Sequence, residues 1–232
     1  MALNAEGYTL ISLPPAGEEL LASFNDLVLD PYCGGNQRYR RLNQYRIHFE
    51  DGRWKLFLLP HRPFIQSKKY NTFAGGMLRD YEPLRVDPSI YVDVCAKSIP
   101  LPVDIEWQIN VHQCRVIARP DVPGISVPEG PHQDGHEYTA ILVSKRHQIN
   151  GALTSLSPVG ESEPFFTTVL EDNQALVFSD ERMFHYTSNL EPFDESGHRD
   201  LWMIVFDKWD SASRNENKRY GTEYEKAAMA ET

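Results

Sequence analysis

The feature that most constrains the fold of this chain is a series of short β-forming segments between Ile105 and Phe206. The series opens with DIEWQINVHQCRVIAR and continues with TAILVS, GALTSLSPV, FFTTVL, QALVFS, MFHYTSNL and LWMIVF. Gly, Pro, Asn or Asp falls in most of the gaps between these segments. Short strands at close spacing, separated by turn residues, are typical of an all-β sandwich or barrel. The sequence therefore predicts a β core over residues 105–207.

The N-terminal part of the chain predicts helices and a hairpin. In AGEELLASFNDLVL, residues 16–29, apolar residues recur at helical spacing, which predicts a first helix. Two β-like runs, 44–50 and 54–59, flank Asp51-Gly52, a dipeptide that favours a hairpin turn. A second amphipathic helix is expected over residues 88–98, because prolines follow it closely.

The chain of 232 residues is expected to form one domain, since no linker separates its parts. A helical and hairpin flank (1–104) would pack on the β core (105–207), and a polar tail (208–232) would follow. The fold class expected from this organisation is mainly β with flanking helices, of the α+β type.

Composition argues against some classes of partner and compartment. A formal net charge of −10 disfavours nucleic acid or an anionic membrane surface as the partner, because both need a basic face. The three cysteines, Cys33, Cys95 and Cys114, lie far apart without a CxxC pair, which fits a reducing cytosol. The N-terminus lacks the pattern of a signal peptide, and no apolar run approaches the ~20 residues that span a bilayer. We therefore expect a cytoplasmic protein.

The segment GPHQDGHEY, residues 130–138, contains a His-x-Asp pair. Residues two apart in an extended chain point the same way, so His132 and Asp134 share a face. His185, in the later β-like run ERMFHYTSN, supplies a third candidate ligand. Two imidazoles and one carboxylate on one face of an octahedral Fe(II) leave open positions, which is the geometry of non-haem iron oxygenases. These three residues are therefore predicted to bind the metal and to form the catalytic centre.

Arg199 begins the apolar strand RDLWMIVF, and its planar guanidinium suits bidentate binding of a carboxylate. If 2-oxoglutarate is the cosubstrate of such an iron centre, its far carboxylate needs a cation, and Arg199 is the predicted partner. The expected cofactors are thus Fe(II) and 2-oxoglutarate, and dioxygen and a small molecule are the expected substrates. A turn over residues 189–197 would make strands 182–188 and 199–206 neighbours. Alternation along the second strand predicts one shared face for Arg199, Leu201, Met203 and Val205.

Three further side chains compete for roles at this site. Gln113 and Arg115 share one face of the long segment that precedes the His-x-Asp pair. We expect one of them to contact the cosubstrate or a substrate carboxylate, although a structural salt bridge at a strand end explains them equally well. His136 lies an even step from Asp134 and could serve as a ligand, but a ligand set from one short strand would strain the geometry.

The segment from Tyr70 to Tyr81 lies in a loop-like stretch, residues 60–83, and contains Gly75-Gly76. One interpretation is a lid whose closure excludes water from a reactive centre. The other is an ordinary surface loop, and the sequence leaves both open.

Four parts of the sequence carry a family resemblance: VHQCRVIAR (111–119), PEGPHQDGHEY (128–138), INGALTSL (149–156), and HYTSNL followed by HRDLWMIVF. They resemble the bacterial 2-oxoglutarate and Fe(II)-dependent dioxygenases similar to L-isoleucine dioxygenase, which hydroxylate free amino acids. The resemblance implies a double-stranded β-helix, a jelly-roll-like core with helices packed outside. It also implies iron on His132, Asp134 and His185, 2-oxoglutarate on Arg199, and a small free L-amino acid as substrate. Gly151-Ala152 departs from the Gly-Gly pair of the relatives, which affects how closely the backbone approaches the site.

Two alternative functions remain open at this point. A cupin-like isomerase or a zinc hydrolase on a similar barrel also uses two histidines and one carboxylate. A zinc hydrolase, however, has no use for a carboxylate-binding Arg199. A non-catalytic stress or regulatory protein could sense 2-oxoglutarate or iron through the same residues, and it would show no turnover with any amino acid.

Overall fold

The computed structural model describes residues 2–35, 37–66 and 68–209. Within these ranges the regular structure consists of two α-helices, two short 3-10 turns and thirteen strands. The helices are α1 (Glu18–Ala22) and α2 (Ser89–Ala96), and the 3-10 turns are Ser23–Asp26 and Asp180–Arg182. The strands are β1 (Tyr8–Ser12), β2 (Val28–Leu29), β3 (Arg38–Glu50), β4 (Arg53–Leu58), β5 (Trp107–Ala118), β6 (Tyr138–His147), β7 (Ile149–Gly151), β8 (Leu153–Pro158), β9 (Phe166–Val169), β10 (Gln174–Ser179), β11 (Met183–Thr187), β12 (Leu190–Pro192) and β13 (Gly197–Lys208).

Eight of these strands form one antiparallel sheet in the order β1-β10-β6-β13-β5-β3-β2, with β4 paired to β3. β13 and β5 form its centre and pair from Gly197 opposite Ala118 to Lys208 opposite Trp107. The other strands form two small antiparallel sheets, β11-β8-β9 and β12-β7. The two long central strands are buried along nearly their whole length, because other parts of the chain cover both faces of the large sheet.

One face of the large sheet, here called the outer face, packs on the helical elements. Trp202 of β13 contacts Phe24 and Tyr91 with ring centroids 5.6 and 5.8 Å apart. All three side chains are at most 1% exposed. Ile204 and Phe206 continue the same apolar cluster along β13. Aromatic side chains of this size dominate the energy of a core, so this face anchors the central strand in the sheet.

The opposite face, here called the inner face, packs on the two small sheets. Ile141 and Phe178 of the large sheet share an apolar cluster with Leu156 of β8. Val116 of β5 shares a second cluster with Leu190 of β12. Antiparallel sheets that enclose a core between them form a jelly-roll arrangement. The predicted fold class, mainly β with flanking helices around such a core, is confirmed.

The hairpin and the second helix are confirmed, but the first helix is shorter than predicted. β3 and β4 meet at Asp51-Gly52, whose φ angles of 52° and 75° suit a tight hairpin turn. The first helix ends at Ala22, and Leu27 is extended because Val28 pairs with β3. Pairing with the next strand along the chain here overrides helical spacing in the sequence. Among the described residues, no helix is long and apolar enough to cross a membrane.

Strands of the N-terminal flank belong to the large sheet, and this pairing with the β core was not predicted from the sequence. β1 pairs with β10, and β3 pairs with β5, so this part of the chain extends the sheet at both of its edges. At the other end of the chain β13 continues to Lys208. The predicted polar tail (208–232) therefore begins inside β13, and residues 210–232 lie outside the described residues.

The predicted pairing of strands 182–188 and 199–206 is wrong. β11 pairs with β8 in a small sheet, whereas β13 lies between β5 and β6 in the large sheet. The intervening segment forms β12, which pairs with β7. Residues 189–197 therefore carry the chain from one sheet to the other and do not form a tight turn between neighbouring strands.

Candidate functional site

Two of the predicted ligand residues are brought together by a backbone bridge between the loop before β6 and strand β11. The His132 N–H donates to the His185 carbonyl at 3.1 Å, and the His185 N–H donates to the His132 carbonyl at 2.8 Å. Residues that exchange both hydrogen bonds in this way are direct cross-strand neighbours. Their ring centroids consequently lie 4.3 Å apart, although the residues are distant in the sequence.

Asp134 completes this cluster, which we call the triad (His132, Asp134 and His185). Its Oδ1 lies 3.4 Å from His132 Nε2, and its Oδ2 lies 3.5 Å from His185 Nε2. One ligand atom from each residue lies within 4.8 Å of the other two. Asp134 Oδ2 is buried and has no hydrogen-bond partner among the described residues. A carboxylate that faces two imidazole nitrogens and keeps one oxygen without a partner fits a divalent cation such as Fe(II).

The charge states of the triad also suit a cation. Burial and the neighbouring His132 lower the pKa of His185 to about 3, so this imidazole is neutral. Burial alone would raise the pKa of Asp134, but the two imidazoles hold it well below its ordinary range. Burial lowers the pKa of His132, yet the hydrogen bond and charge of Asp134 outweigh burial and raise it to about 9. A bound cation would therefore displace only the proton of His132, because His185 is already neutral and Asp134 is already ionised.

Asp180 fixes the loop that carries Asp134. Its Oδ1 accepts a hydrogen bond from the Asp134 N–H at 3.0 Å, and its Oδ2 accepts from Gly135 and His136 at 2.8 and 3.1 Å. Burial and the charge of Asp134 raise the pKa of Asp180 to about 7. Asp180 Oδ1 also lies 3.6 Å from His185 Nδ1. This carboxylate thus supports the loop that carries Asp134 and lies beside His185 without a hydrogen bond to it, and nothing in the sequence pattern pointed to it.

His136 is directed away from the triad. Its Nδ1 lies 2.7 Å from Asp207 Oδ2, and both side chains are buried. Burial lowers the pKa of His136, but the Asp207 carboxylate outweighs burial and raises it to about 9. A protonated imidazole engaged by another carboxylate is a poor metal ligand, so His136 does not join the candidate ligand set.

The loop-like stretch after β4 covers the triad. Gln66 Nε2 donates to the carbonyl and to the Oδ1 of Asp134, at 3.0 and 3.2 Å. Tyr70 packs so closely on Gly135 that a Cβ at this glycine would lie 2.4 Å from the tyrosine ring. Gly135 also has a φ of +88°, which residues other than glycine rarely adopt. The structure thus places this stretch against the site, and movement of residues 70–81 as a lid stays a prediction.

A cavity lies between the triad and the inner face of the large sheet. Alternate residues of β13 line it, as the sequence predicted: Arg199, Leu201, Met203 and Val205. Arg199 is 1% exposed, and its Nε and Nη2 have no hydrogen-bond partner among the described residues. Burial and the nearby Arg146 lower its pKa to about 10, which leaves it protonated at neutral pH. A buried cation with free donors is suited to the carboxylate of a bound ligand.

Gln113 and Arg115 point away from this cavity, so their predicted contact with the cosubstrate is corrected. Gln113 Nε2 donates to Ser23 Oγ at 2.7 Å on the outer face. Arg115 donates to both carboxylate oxygens of Asp200, at 2.6 and 2.8 Å, which is the alternative salt bridge. The cavity is lined instead by His112 of the same strand and its alternate neighbours. Alternation along β5 was predicted correctly, but the face that meets the cavity was not.

Several cavity residues were missed by the sequence analysis. The cavity is also lined by Arg38, Arg40, Phe64, Gln66, Arg79 and Glu129. The first two alternate along β3, so the pattern RYR was a usable signal that they share a face. The others come from loops, where no periodicity relates one side chain to another.

Comparisons with known proteins agree with this geometry. A family model described as 2OG-Fe dioxygenase matches residues 21–206. The 3(1)-hydroxy-L-isoleucine 4-dioxygenase of Pantoea ananatis (strain AJ13355) is 27% identical over 210 residues, which cover 82% of this chain and 81% of the relative.

Solved structures are similar over most of their length. A bsmA homolog from Methylobium petroleophilum PM1 has a TM-score of 0.73 and 24% identity, covering 88% of this chain and 90% of that chain. IDO from Bacillus thuringiensis has a TM-score of 0.65 and 18% identity, covering 88% of this chain and 91% of that chain. At these identities the likeness concerns the fold, and it supports the jelly-roll core.

Proposed function

Since this chain belongs to the 2OG-Fe dioxygenase family, we propose that it hydroxylates a free L-amino acid at an iron centre formed by His132, Asp134 and His185. The chain is an oxygenase, and the family implies Fe(II) and 2-oxoglutarate as its cofactors. Dioxygen and a small molecule are the substrates that the family implies.

The observation that carries this proposal is that two buried groups on one cavity have no hydrogen-bond partner in the described part of the chain. Asp134 Oδ2 and the guanidinium of Arg199 both lack hydrogen-bond partners among the described residues, although both are buried. A buried charge without a partner is costly. A site of this kind therefore calls for a cation at the triad and an anion at Arg199, and Fe(II) with a dicarboxylate meets both needs.

The residues of the site have separate tasks in this proposal. When bound, Fe(II) and 2-oxoglutarate supply the oxidation of a C–H bond to a C–OH, in which dioxygen is consumed and 2-oxoglutarate becomes succinate and CO2. His132 and His185 hold the ion through imidazole nitrogens, and Asp134 holds it through an anionic oxygen. Arg199 binds the far carboxylate of 2-oxoglutarate and so orients the cosubstrate. Gln66 donates to Asp134 Oδ1, which fixes the direction of that carboxylate.

The amino-acid substrate is supported by the curated relative and by the lining of the cavity. The name of the relative states that it acts on 3(1)-hydroxy-L-isoleucine. In this chain the cavity is lined by charged side chains of both signs, among them Arg40 and Glu129, and by apolar Phe64 and Met203. A small zwitterion with an apolar side chain matches this mixture of charged and apolar surface.

The family and the buried cation favour an oxygenase over the other functions that the sequence left open. A zinc hydrolase or a cupin-like isomerase has no need of an unpaired buried arginine beside the metal ligands. A non-catalytic sensor of 2-oxoglutarate would use Arg199, but the family is one of enzymes. The amino-acid-dependent formation of succinate separates these possibilities experimentally.

Purified enzyme supplied with Fe(II), ascorbate and 2-oxoglutarate under air is expected to form more succinate when one or a few free L-amino acids are added. Succinate and the hydroxylated amino acid are measured by mass spectrometry across the standard L-amino acids and 3(1)-hydroxy-L-isoleucine. A reaction without Fe(II) is the control. If none of these amino acids stimulates succinate formation, the substrate assignment is wrong. If 2-oxoglutarate fails to bind in the presence of the metal, the proposed site is wrong.

Asp180→Ala is expected to weaken Mn(II) binding by about 10- to 100-fold, because three backbone N–H groups of the loop that presents Asp134 lose their acceptor. Mn(II) serves as an air-stable probe of the Fe(II) site, and calorimetry measures its affinity. Asp172→Ala is the matched control, since Asp172 also accepts a backbone N–H, that of Arg146 at 2.6 Å, away from the triad. Equal Mn(II) affinity of the Asp180 variant and the wild type would contradict the supporting role.

A further inference from the structure

Three arginines line the cavity in addition to Arg199. Arg38 and Arg40 alternate along β3, and both side chains reach the inner face of the large sheet. Arg79 comes from the stretch after β4, where its backbone pairs with that of Phe64. The three side chains, here called the arginine cluster (Arg38, Arg40 and Arg79), belong to residues that are only 9%, 8% and 3% exposed.

The positive charge of the arginine cluster is only partly compensated. Asp30 Oδ2 accepts a hydrogen bond from Arg38 Nε at 2.9 Å and lies 3.7 Å from Arg40 Nε. Arg40 Nε and Arg79 Nε are buried and have no hydrogen-bond partner among the described residues. Burial and the nearby Arg40 lower the pKa of Arg79, as expected for crowded cations. Free donors and excess positive charge together call for an anion at this end of the cavity.

The strand register separates the arginine cluster from Arg199. Arg199 on β13 lies opposite Val116 of β5, which in turn lies opposite Arg38 of β3. Arg40 lies opposite Cys114, two residues further along the same pair of strands and on the same inner face. Two strand spacings, about 10 Å at the backbone, therefore separate Arg199 from Arg38, the nearest member of the cluster along the sheet. The apolar side chain of Val116 lies between them, so the cavity offers two anion subsites.

A single amide side chain connects the arginine cluster to the triad. Gln66 Oε1 accepts a hydrogen bond from Arg79 Nη2 at 3.3 Å, and Gln66 Nε2 donates to Asp134 Oδ1 at 3.2 Å. If the anionic group of a ligand binds Arg79, the adjoining atoms of that ligand would therefore lie beside the triad. This is the position that a substrate, rather than a distant effector, must occupy.

We propose that the arginine cluster binds the α-carboxylate of the substrate, with Arg40 and Arg79 donating to it and Arg38 held by Asp30. This inference rests on the proposed function, because it takes a free amino acid as the substrate. Charge-assisted hydrogen bonds from two guanidinium groups satisfy their buried donors and balance the excess charge. The enzyme is then specific for free carboxylates, and it rejects amino acids whose carboxyl group is blocked or joined in a peptide bond.

The first test uses the wild-type enzyme loaded with Mn(II) and 2-oxoglutarate without oxygen. Calorimetry compares the affinity of the amino acid that best stimulates succinate formation with that of its carboxamide, which has the same side chain but no carboxylate. The carboxamide is expected to bind about 10- to 100-fold more weakly, because it loses hydrogen bonds to buried charged groups. This comparison needs no variant, so a folding defect cannot obscure it.

The second test removes the guanidinium groups. Arg40→Met and Arg79→Met are each expected to weaken amino-acid binding by about 10- to 100-fold and to abolish the preference over the carboxamide, with the affinity for 2-oxoglutarate changed by less than about threefold. Arg41→Met is the matched control. Arg41 is the adjacent buried arginine of β3, but its guanidinium donates to the carbonyls of Asp26 and Pro83 outside the cavity. Lysine variants at positions 40 and 79 replace any methionine variant whose circular dichroism shows misfolding.

The outcomes separate this inference from the proposed function. If the wild type binds acid and carboxamide equally, or if the variants lose 2-oxoglutarate in place of the amino acid, the inference is overturned and the proposed function stands. If 2-oxoglutarate binds but neither the standard L-amino acids nor 3(1)-hydroxy-L-isoleucine does, both are overturned. A preference for the free acid that disappears in the Arg40 and Arg79 variants, and persists in Arg41→Met, supports the assignment.

Discussion

His132→Ala is expected to abolish amino-acid-stimulated succinate formation, with a rate loss of more than about 100-fold. Replacement of residues that merely support metal ligands commonly lowers metal affinity or activity by roughly 10- to 100-fold, and loss of a ligand itself should lower it further. The imidazole of His132 lies 3.4 Å from Asp134 Oδ1 and beside the ring of His185. Among the described residues, the histidines that form such a ligand group with Asp134 are His132 and His185 alone. Succinate formation and Mn(II) affinity are both measured, because the physical cause is loss of the metal.

His198→Ala is the matched control for this experiment. His198 is adjacent to Arg199 on β13, but its side chain is a quarter exposed and packs on His147. The control variant is expected to keep wild-type succinate formation and Mn(II) affinity. Wild-type succinate formation by His132→Ala would show that the triad is not the iron site.

Arg199→Met is expected to weaken 2-oxoglutarate binding by about 100-fold or more, since a bidentate contact contributes two hydrogen bonds to a charged group. The variant should nevertheless fold as stably as the wild type. Arg199 is buried without a hydrogen-bond partner among the described residues, and an apolar side chain of similar length removes an uncompensated charge. Loss of ligand affinity without loss of stability is the signature of a binding residue.

Calorimetry with Mn(II)-loaded enzyme measures the affinity for 2-oxoglutarate, and thermal unfolding measures stability. Arg115→Met is the control, because Arg115 lies on the neighbouring strand with its guanidinium paired to Asp200 on the outer face. It should lose stability and keep its affinity for 2-oxoglutarate. The reverse pattern in the two variants would show that Arg115, and not Arg199, binds the cosubstrate.

The parts of the fold that were predicted correctly depend on local rules. Asp51-Gly52 forms the hairpin turn because both residues must adopt a positive φ, which is a property of the two residues themselves. Alternation placed Arg199 and Leu201 on the same face of β13 because side chains of any extended strand alternate. The prediction of the first helix was wrong at Leu27, because pairing of the next residue with β3 outweighs the local helical spacing.

The residue types and their local spacing set the chemistry available to this protein, whereas the packing of distant strands set which of these groups meet. The spacing of His132 and Asp134 was sufficient to predict a chelating pair, because their geometry is set within three residues. The sequence could not show that β11 pairs with β8, that Asp180 supports the metal loop, or that His112 rather than Gln113 faces the cavity. The reason is physical: alternation fixes which residues share a face, but only the packing of one sheet on another decides which face is inside. The arginine cluster likewise exists only because β3 lies beside β5, a pairing between segments far apart in the chain.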